Sequence, residues 1–152
     1  MKKWGILLAG LLWLGTGQTA GTDVAKLRPV EVVLVRRWEG QVIIQTDTND
    51  CGVGPDLSAA VEDLHRTTPA EIFLETADYL LIGDDAEPLL GELMAYLRPA
   101  CQVCTVASPA ELEGVAQFLQ QHPPLVTLIR YRSGERSLPV LKIGERSMEL
   151  VR

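Results

Sequence analysis

CGVGPDLSAAVEDLHRTTPAEIFLETADYLLIG, residues Cys51 to Gly83, reads as a glycine-containing turn, an amphipathic helix, a short loop and a strand. Asp56 stands where a helix N-cap is needed, its carboxylate able to accept from free N–H groups. Leu57, Ala60, Val61 and Leu64 follow at i, i+3, i+4 and i+7, one apolar stripe, with Glu62, Asp63, His65 and Arg66 on the other side. Thr67-Thr68-Pro69 ends the helix, because the residue before proline resists the α region. Within Glu71–Ile82, the run Tyr79-Leu80-Leu81-Ile82 has the unbroken apolarity of a central strand, and Gly83 closes it.

Before this stretch, Pro29 opens a strand over Val30–Arg37, whose core Val32-Val33-Leu34-Val35 is apolar on both faces. Trp38-Glu39-Gly40 makes a turn, and Gln41–Thr48 is the returning strand of a hairpin. Asn49 to Pro55 is then a loop. After Gly83, Asp84 or Asp85 starts a second helix with Leu89, Leu90, Leu93, Met94 and Leu97 on its buried face and Pro88 in its first turn. Cys101–Val106 is a short strand. Ser108-Pro109-Ala110-Glu111 is a helix start, with serine as cap, proline at the first position and glutamate at the third. Leu112, Val115, Ala116 and Leu119 form that helix's stripe. Leu125–Arg132, Leu138–Ile143 and Met148–Val151 read as strands. The expectation is an α/β fold: a single mixed β-sheet with three helices, in the order ββαβαβα followed by strands.

The N-terminus has the form of an export signal. Lys2 and Lys3 precede the apolar run Ile6–Leu14, and small residues follow through Gly21. The run is shorter than the ~20 residues that span a bilayer. Small residues at −3 and −1 permit cleavage after Gly17 or Gly21; the alternative is an uncleaved anchor. No cysteine follows the apolar run, so no lipid attachment site is offered. The expected division is a signal peptide over 1–21, a polar lead-in over 22–29 and a single domain over 30–152. The chain has 152 residues, 47% hydrophobic and 22% charged, enough for one real core. Its net charge is −6, and −8 without the two leader lysines, which disfavours nucleic acid and anionic lipid as partners.

Candidate chemistry is sparse. Cys101-Gln102-Val103-Cys104 is a C-x-x-C, but a redox pair needs its first thiol at a helix N-terminus, and these two fall inside a strand. They read as buried thiols or, in oxidising surroundings, as partners for Cys51, which could pair with either. A zinc site would have to add His65 and His122, neither at paired spacing. Asp47-Thr48-Asn49-Asp50-Cys51-Gly52 begins like a calcium loop, yet its fifth position is Cys51 and its twelfth is Ser58. Gly52-Val53-Gly54 lacks the third glycine of the dinucleotide fingerprint, with Leu57 in its place; the glycines read as a tight turn into the helix. There is no G-x-S-x-G, H-E-x-x-H or P-loop. The residues therefore nominate no catalytic, cofactor or metal site, and only Cys51, Cys101 and Cys104 as candidate disulfide or thiol positions.

GVGPDLSAAVEDLHRTTPAEIFLETADYLLIGDDAEPLLGELMAYLRPACQVCTVAS resembles the N-terminal domain of the Ger(x)C spore-germination proteins, the C-subunits of germinant receptors. The likeness rests on Val42-Ile43-Ile44-Gln45-Thr46, Gly52 to Leu64, Ile72-Phe73-Leu74 through Gly83, Leu90 to Arg98 and Val103 to Val106. Ser137-Leu138-Pro139-Val140-Leu141 resembles the segment leading to that family's next domain. It is a pattern of elements over about residues 30–143, without the family's lipobox cysteine and further domains. What the resemblance implies is an exported, non-enzymatic binding module, extracytoplasmic and associated with the spore inner membrane. Its partners would be membrane-embedded germinant-receptor subunits or another envelope protein. The alternatives are an extracytoplasmic thiol protein using the C-x-x-C, or an envelope domain with another role.

Overall fold

Val32–Trp38 (β2) runs through the middle of a seven-stranded mixed sheet rather than along its edge. The fold comes from a computed structural model that describes residues 27–107, 111–135 and 137–152. The expected signal peptide, most of the lead-in, and Ser108, Pro109 and Ala110 of the expected helix start lie outside the described residues. β2 turns through Glu39 (φ 48°) and Gly40 (φ 77°) into Gln41–Thr46 (β3). Two consecutive positive φ values give a turn whose twist matches a two-residue hairpin. β3 pairs in turn with Cys51–Gly54 (β4). On the other side of β2, Tyr79–Gly83 (β6), Gln102–Val106 (β7) and Val140–Ile143 (β8) continue the sheet in parallel, and Met148–Val151 (β9) closes it antiparallel. The order is β4-β3-β2-β6-β7-β8-β9. Leu27–Pro29 (β1), inside the expected lead-in, pairs in parallel with Glu71–Phe73 (β5) as a separate two-stranded piece.

Alternation along the strands divides the core into two layers. On one face, Val33, Val35, Val42, Ile44, Leu80, Ile82 and Val103 are buried beneath Leu57–Thr67 (α1), the 3₁₀ segment Asp84–Leu89 and the single turn Leu90–Leu93 (α2). On the other, Val32, Leu34, Tyr79, Leu81, Cys104 and Val106 meet Leu112, Val115 and Leu119 around the helix Val115–Gln121 (α3). β6 is buried at all five positions, as a strand covered on both faces must be.

α1 is the best-determined element. Asp56 caps it by accepting from the Ala59 N–H at 2.8 Å, and Leu57, Ala60, Val61 and Leu64 are its buried residues. It lies directly on β4, where the two glycines face it. A Cβ on Gly52 would come within 2.2 Å of the Ala60 carbonyl oxygen, and one on Gly54 within 2.5 Å of the Ala60 nitrogen. The expected loop over Asn49–Pro55 is thus a strand in part, and its glycines serve a close backbone approach rather than a tight turn.

Two further expectations are corrected. Leu125–Arg132 is not a strand. Only its beginning follows β7, where Val103 N–H donates to the Val126 carbonyl at 2.8 Å and Leu128 N–H to that of Cys101 at 2.9 Å. Thr127 then caps the helix Leu128–Arg132 (α4), which buries Leu128. The β-branched and aromatic content of LVTLIRYR describes one bridge and a docked helix equally well. Four α-helices are therefore present among the described residues where three were expected, and the expected order is replaced accordingly. The second expected helix is mostly 3₁₀, with Pro88 inside it; a proline lacks the N–H that a regular α ladder needs.

Gly52→Ala should cost about 1–3 kcal/mol of unfolding free energy, because the new methyl group meets helix backbone that cannot rotate away. Gly91→Ala, on the exposed side of α2 with nothing within 4 Å of its Cβ, should be neutral or stabilise by up to ~1 kcal/mol. Urea denaturation of the two variants checks the contrast.

Candidate interaction surface

The three cysteines are free thiols, and the sheet keeps them apart. The register Cys51↔Gln45, Leu34↔Gln45, Leu34↔Leu81 and Leu81↔Cys104 puts Cys51 and Cys104 in one row, four strands apart. That separation is about 19 Å, against the Cα distance below ~7 Å that a disulfide needs. Cys101 belongs to the layer under α1 and Cys104 to the layer under α3, so the C-x-x-C splits across the sheet. Burial pushes both thiols up to about 12, and it also raises the partly exposed Cys51. A thiol so buried yields almost no thiolate at neutral pH.

The remaining candidate ligands do not converge. His65 is exposed on α1, and His122 is exposed at the end of α3 with its ring 4.8 Å from Phe118. In the Asp47–Asp50 turn, Asp47 accepts from Glu31 N–H at 3.2 Å, and Asp50 accepts from the Thr48 hydroxyl at 2.6 Å beside Arg28 at 3.6 Å. Among the described residues no three His, Cys, Asp or Glu side chains are grouped to hold a metal ion.

What the fold does assemble is a half-face of sheet that no helix among the described residues covers. α3 covers β6, β7 and the start of β2, and stops there. Beyond it, Arg36, Ile43 and Val53 stand in one row across β2, β3 and β4, with Trp38 next to them on the same face. Trp38 is 60% exposed and Val53 44%. Arg36 Nε is buried in this row and has no hydrogen-bond partner among the described residues. An exposed aromatic ring beside two β-branched side chains makes a surface suited to an apolar partner. The sequence hid it by assigning Trp38 to a turn and Val53 to a loop. The signal was the alternation Val32, Leu34, Arg36, Trp38, whose last two members fall beyond the reach of α3.

The edge beside this patch is closed. The outward Val53 N–H donates to Asp63 Oδ2 at 2.9 Å, and the outward Cys51 carbonyl lies 3.2 Å from the Thr67 hydroxyl, which it shares with the Asp63 carbonyl at 2.8 Å. Asp63 and Thr67 are one turn apart on α1. The Val53 hydrogen bond, followed by the bond from Arg66, holds the Asp63 carboxyl below the usual carboxylate range. The face of this half-sheet, rather than its edge, is therefore what the described residues leave open.

Compared with family models, with curated proteins and with solved structures, the chain matches none of them. No helix among the described residues is long and apolar enough to cross a membrane.

At pH 8, a thiol reagent should modify Cys51 in the folded protein and reach Cys101 and Cys104 only after denaturation. The raised pKa values also set a sign. Their contribution to stability is complete below the ordinary thiol pKa of ~8.5 and is lost as pH rises toward about 12. Urea midpoints should fall between pH 8 and pH 10.5, and less steeply when both buried cysteines are replaced by alanine.

Proposed function

We propose that this protein is an exported, non-enzymatic binding module of the germinant-receptor C-subunit type, acting in spore germination through protein–protein contacts. The observation that carries a binding role is the row Arg36–Ile43–Val53 with Trp38 beside it, which no helix among the described residues covers. The leader and the resemblance over residues 30–143 supply the setting: an extracytoplasmic position at the spore inner membrane, next to membrane-embedded receptor subunits or another envelope protein. The patch suits a protein partner better than a small molecule, because it is a flat sheet surface with its polar group at the margin. The thiol-protein alternative has less support, since the two cysteines of the C-x-x-C face separate cores and both are fully buried. An envelope domain with another role would use the same face.

Deleting the gene should delay nutrient-triggered germination, and the intact gene should restore it. A Trp38→Glu, Val53→Glu variant should fold and accumulate normally yet fail to restore the response. Normal germination of the deletion strain would overturn the germination role. Full restoration by the double variant would instead remove the patch from it.

A further inference from the structure

The two ends of the sheet are treated differently. At β4 the outward backbone groups are occupied by Asp63 and Thr67 of α1. At β9 the hydrogen-bonding pattern leaves them open. Gly144 N–H donates to the Ser147 carbonyl at 2.8 Å, which makes the pair 144/147 a hydrogen-bonded one. Alternation along the register Ile143↔Met148, Lys142↔Glu149, Leu141↔Leu150 and Val140↔Val151 turns Glu149 and Val151 inward to β8. Met148 and Leu150 therefore point their N–H and C=O groups away from the sheet. No side chain among the described residues occupies those groups. The strand has no proline, and Met148, Leu150 and Val151 are each only half-buried. An edge that is apolar, unbulged and uncapped is a template for another strand.

Beside this edge runs a groove of about 570 Å³ between β9 and the end of α3, lined by Phe118, His122, Pro123, Met148, Leu150 and Arg152 among others. An added strand would project every second side chain over it. The strand that fits is β9 itself. A two-fold axis perpendicular to the sheet at Leu150 keeps corresponding faces together and aligns the strands antiparallel. Leu150 then stands opposite Leu150 of the second copy, Glu149 opposite Val151, and Met148 opposite Arg152. The row Val106–Leu141–Leu150, already continuous across β7, β8 and β9, runs on through the axis into the same row reversed. Met148 and Leu150 of each copy come to the groove side of the other. Centring the axis one residue earlier would set two Glu149 carboxylates face to face, a repulsive pairing. The charge pattern thus disfavours that neighbouring register, and the continuous apolar row favours the one centred on Leu150.

We infer that the protein forms a two-fold dimer by antiparallel pairing of β9 with β9 of a second copy, centred on Leu150, which joins two seven-stranded sheets into one. This surface is separate from the Trp38 patch, at the opposite end of the sheet, and the dimer leaves both patches open.

The test is sedimentation equilibrium combined with position-specific cross-linking, on purified protein in the form the cell leaves it. Cys51→Ser removes the exposed thiol. In that background Leu150→Cys places two thiols on the axis, with Cα atoms about 5.5 Å apart in a hydrogen-bonded antiparallel pair, within disulfide range. Glu149→Cys puts its thiols two positions out of register and serves as the control. The expected result is twice the chain mass for the native protein, rapid oxidation of the Leu150→Cys variant to a covalent dimer, and little or none for Glu149→Cys. A far-ultraviolet spectrum unchanged from the native one shows that each variant is folded; should Leu150→Cys fail to fold, Arg152→Cys and Met148→Cys mixed in equal amounts report the same register. The inference is overturned by monomer mass at every concentration, by a dimer that cross-links equally at both positions, or by a monomer whose β9 edge binds only a foreign extended peptide.

Discussion

The packing of α1 onto β4 without intervening side chains is the contact on which the rest of the molecule depends. With hydrogen alone at Gly52 and Gly54, the helix backbone around Ala60 and Leu64 sits against the strand backbone. That depth puts Leu57, Val61 and Leu64 in one buried cluster with Val42 and Ile44 of β3, so one helix seals the hairpin end of one face. It also brings Asp63 and Thr67 level with the strand edge, where they meet the Val53 N–H and the Cys51 carbonyl. A residue with a side chain at either glycine would lift the helix and undo both effects. Core filling and edge closure are thus two results of one close approach.

The second layer is thinner. α3 is a helix of seven residues, and its buried Val115 and Leu119, with Leu112 just before it, share a layer with β2, β6, β7 and the β8–β9 pair but with no residue of β3 or β4. Among the described residues the hairpin strands receive no helix on that side, which leaves Trp38 and Val53 exposed. The unequal coverage follows from where the chain spends its helical residues. α1, the 3₁₀ segment and α2 all lie on one face, and among the described helices only α3 lies on the other.

The elements legible in the sequence were those whose local signals agreed with their surroundings. The Asp56 cap with its four-residue stripe, the uninterrupted apolar run of β6, the hairpin into β3 and the two terminal strands β8 and β9 all needed nothing beyond themselves. The α/β class followed from them. The errors fell where a distant contact decides. Cys51-Gly52-Val53-Gly54 has too little side chain to signal a strand, and becomes one because β3 and α1 hold it. Leu125–Arg132 has strand-like composition, yet Thr127 caps a helix because β8 takes up only the upper half of the edge beside β7. The separation of the three candidate thiols depends on register, which no spacing along the chain reports. The patch was invisible for the same reason: exposure on a sheet face is set by where the covering helix ends.

The hydrogen bond from Val53 to Asp63 has a consequence for stoichiometry. A sheet with both margins free can recruit copies at each end and grow into a filament of no fixed length. Here the carboxylate and hydroxyl of α1 act as a chain terminator at one margin, leaving β9 as the one open margin of the seven-stranded sheet among the described residues. Association through that remaining margin consumes it in both molecules, so the assembly stops at two by construction.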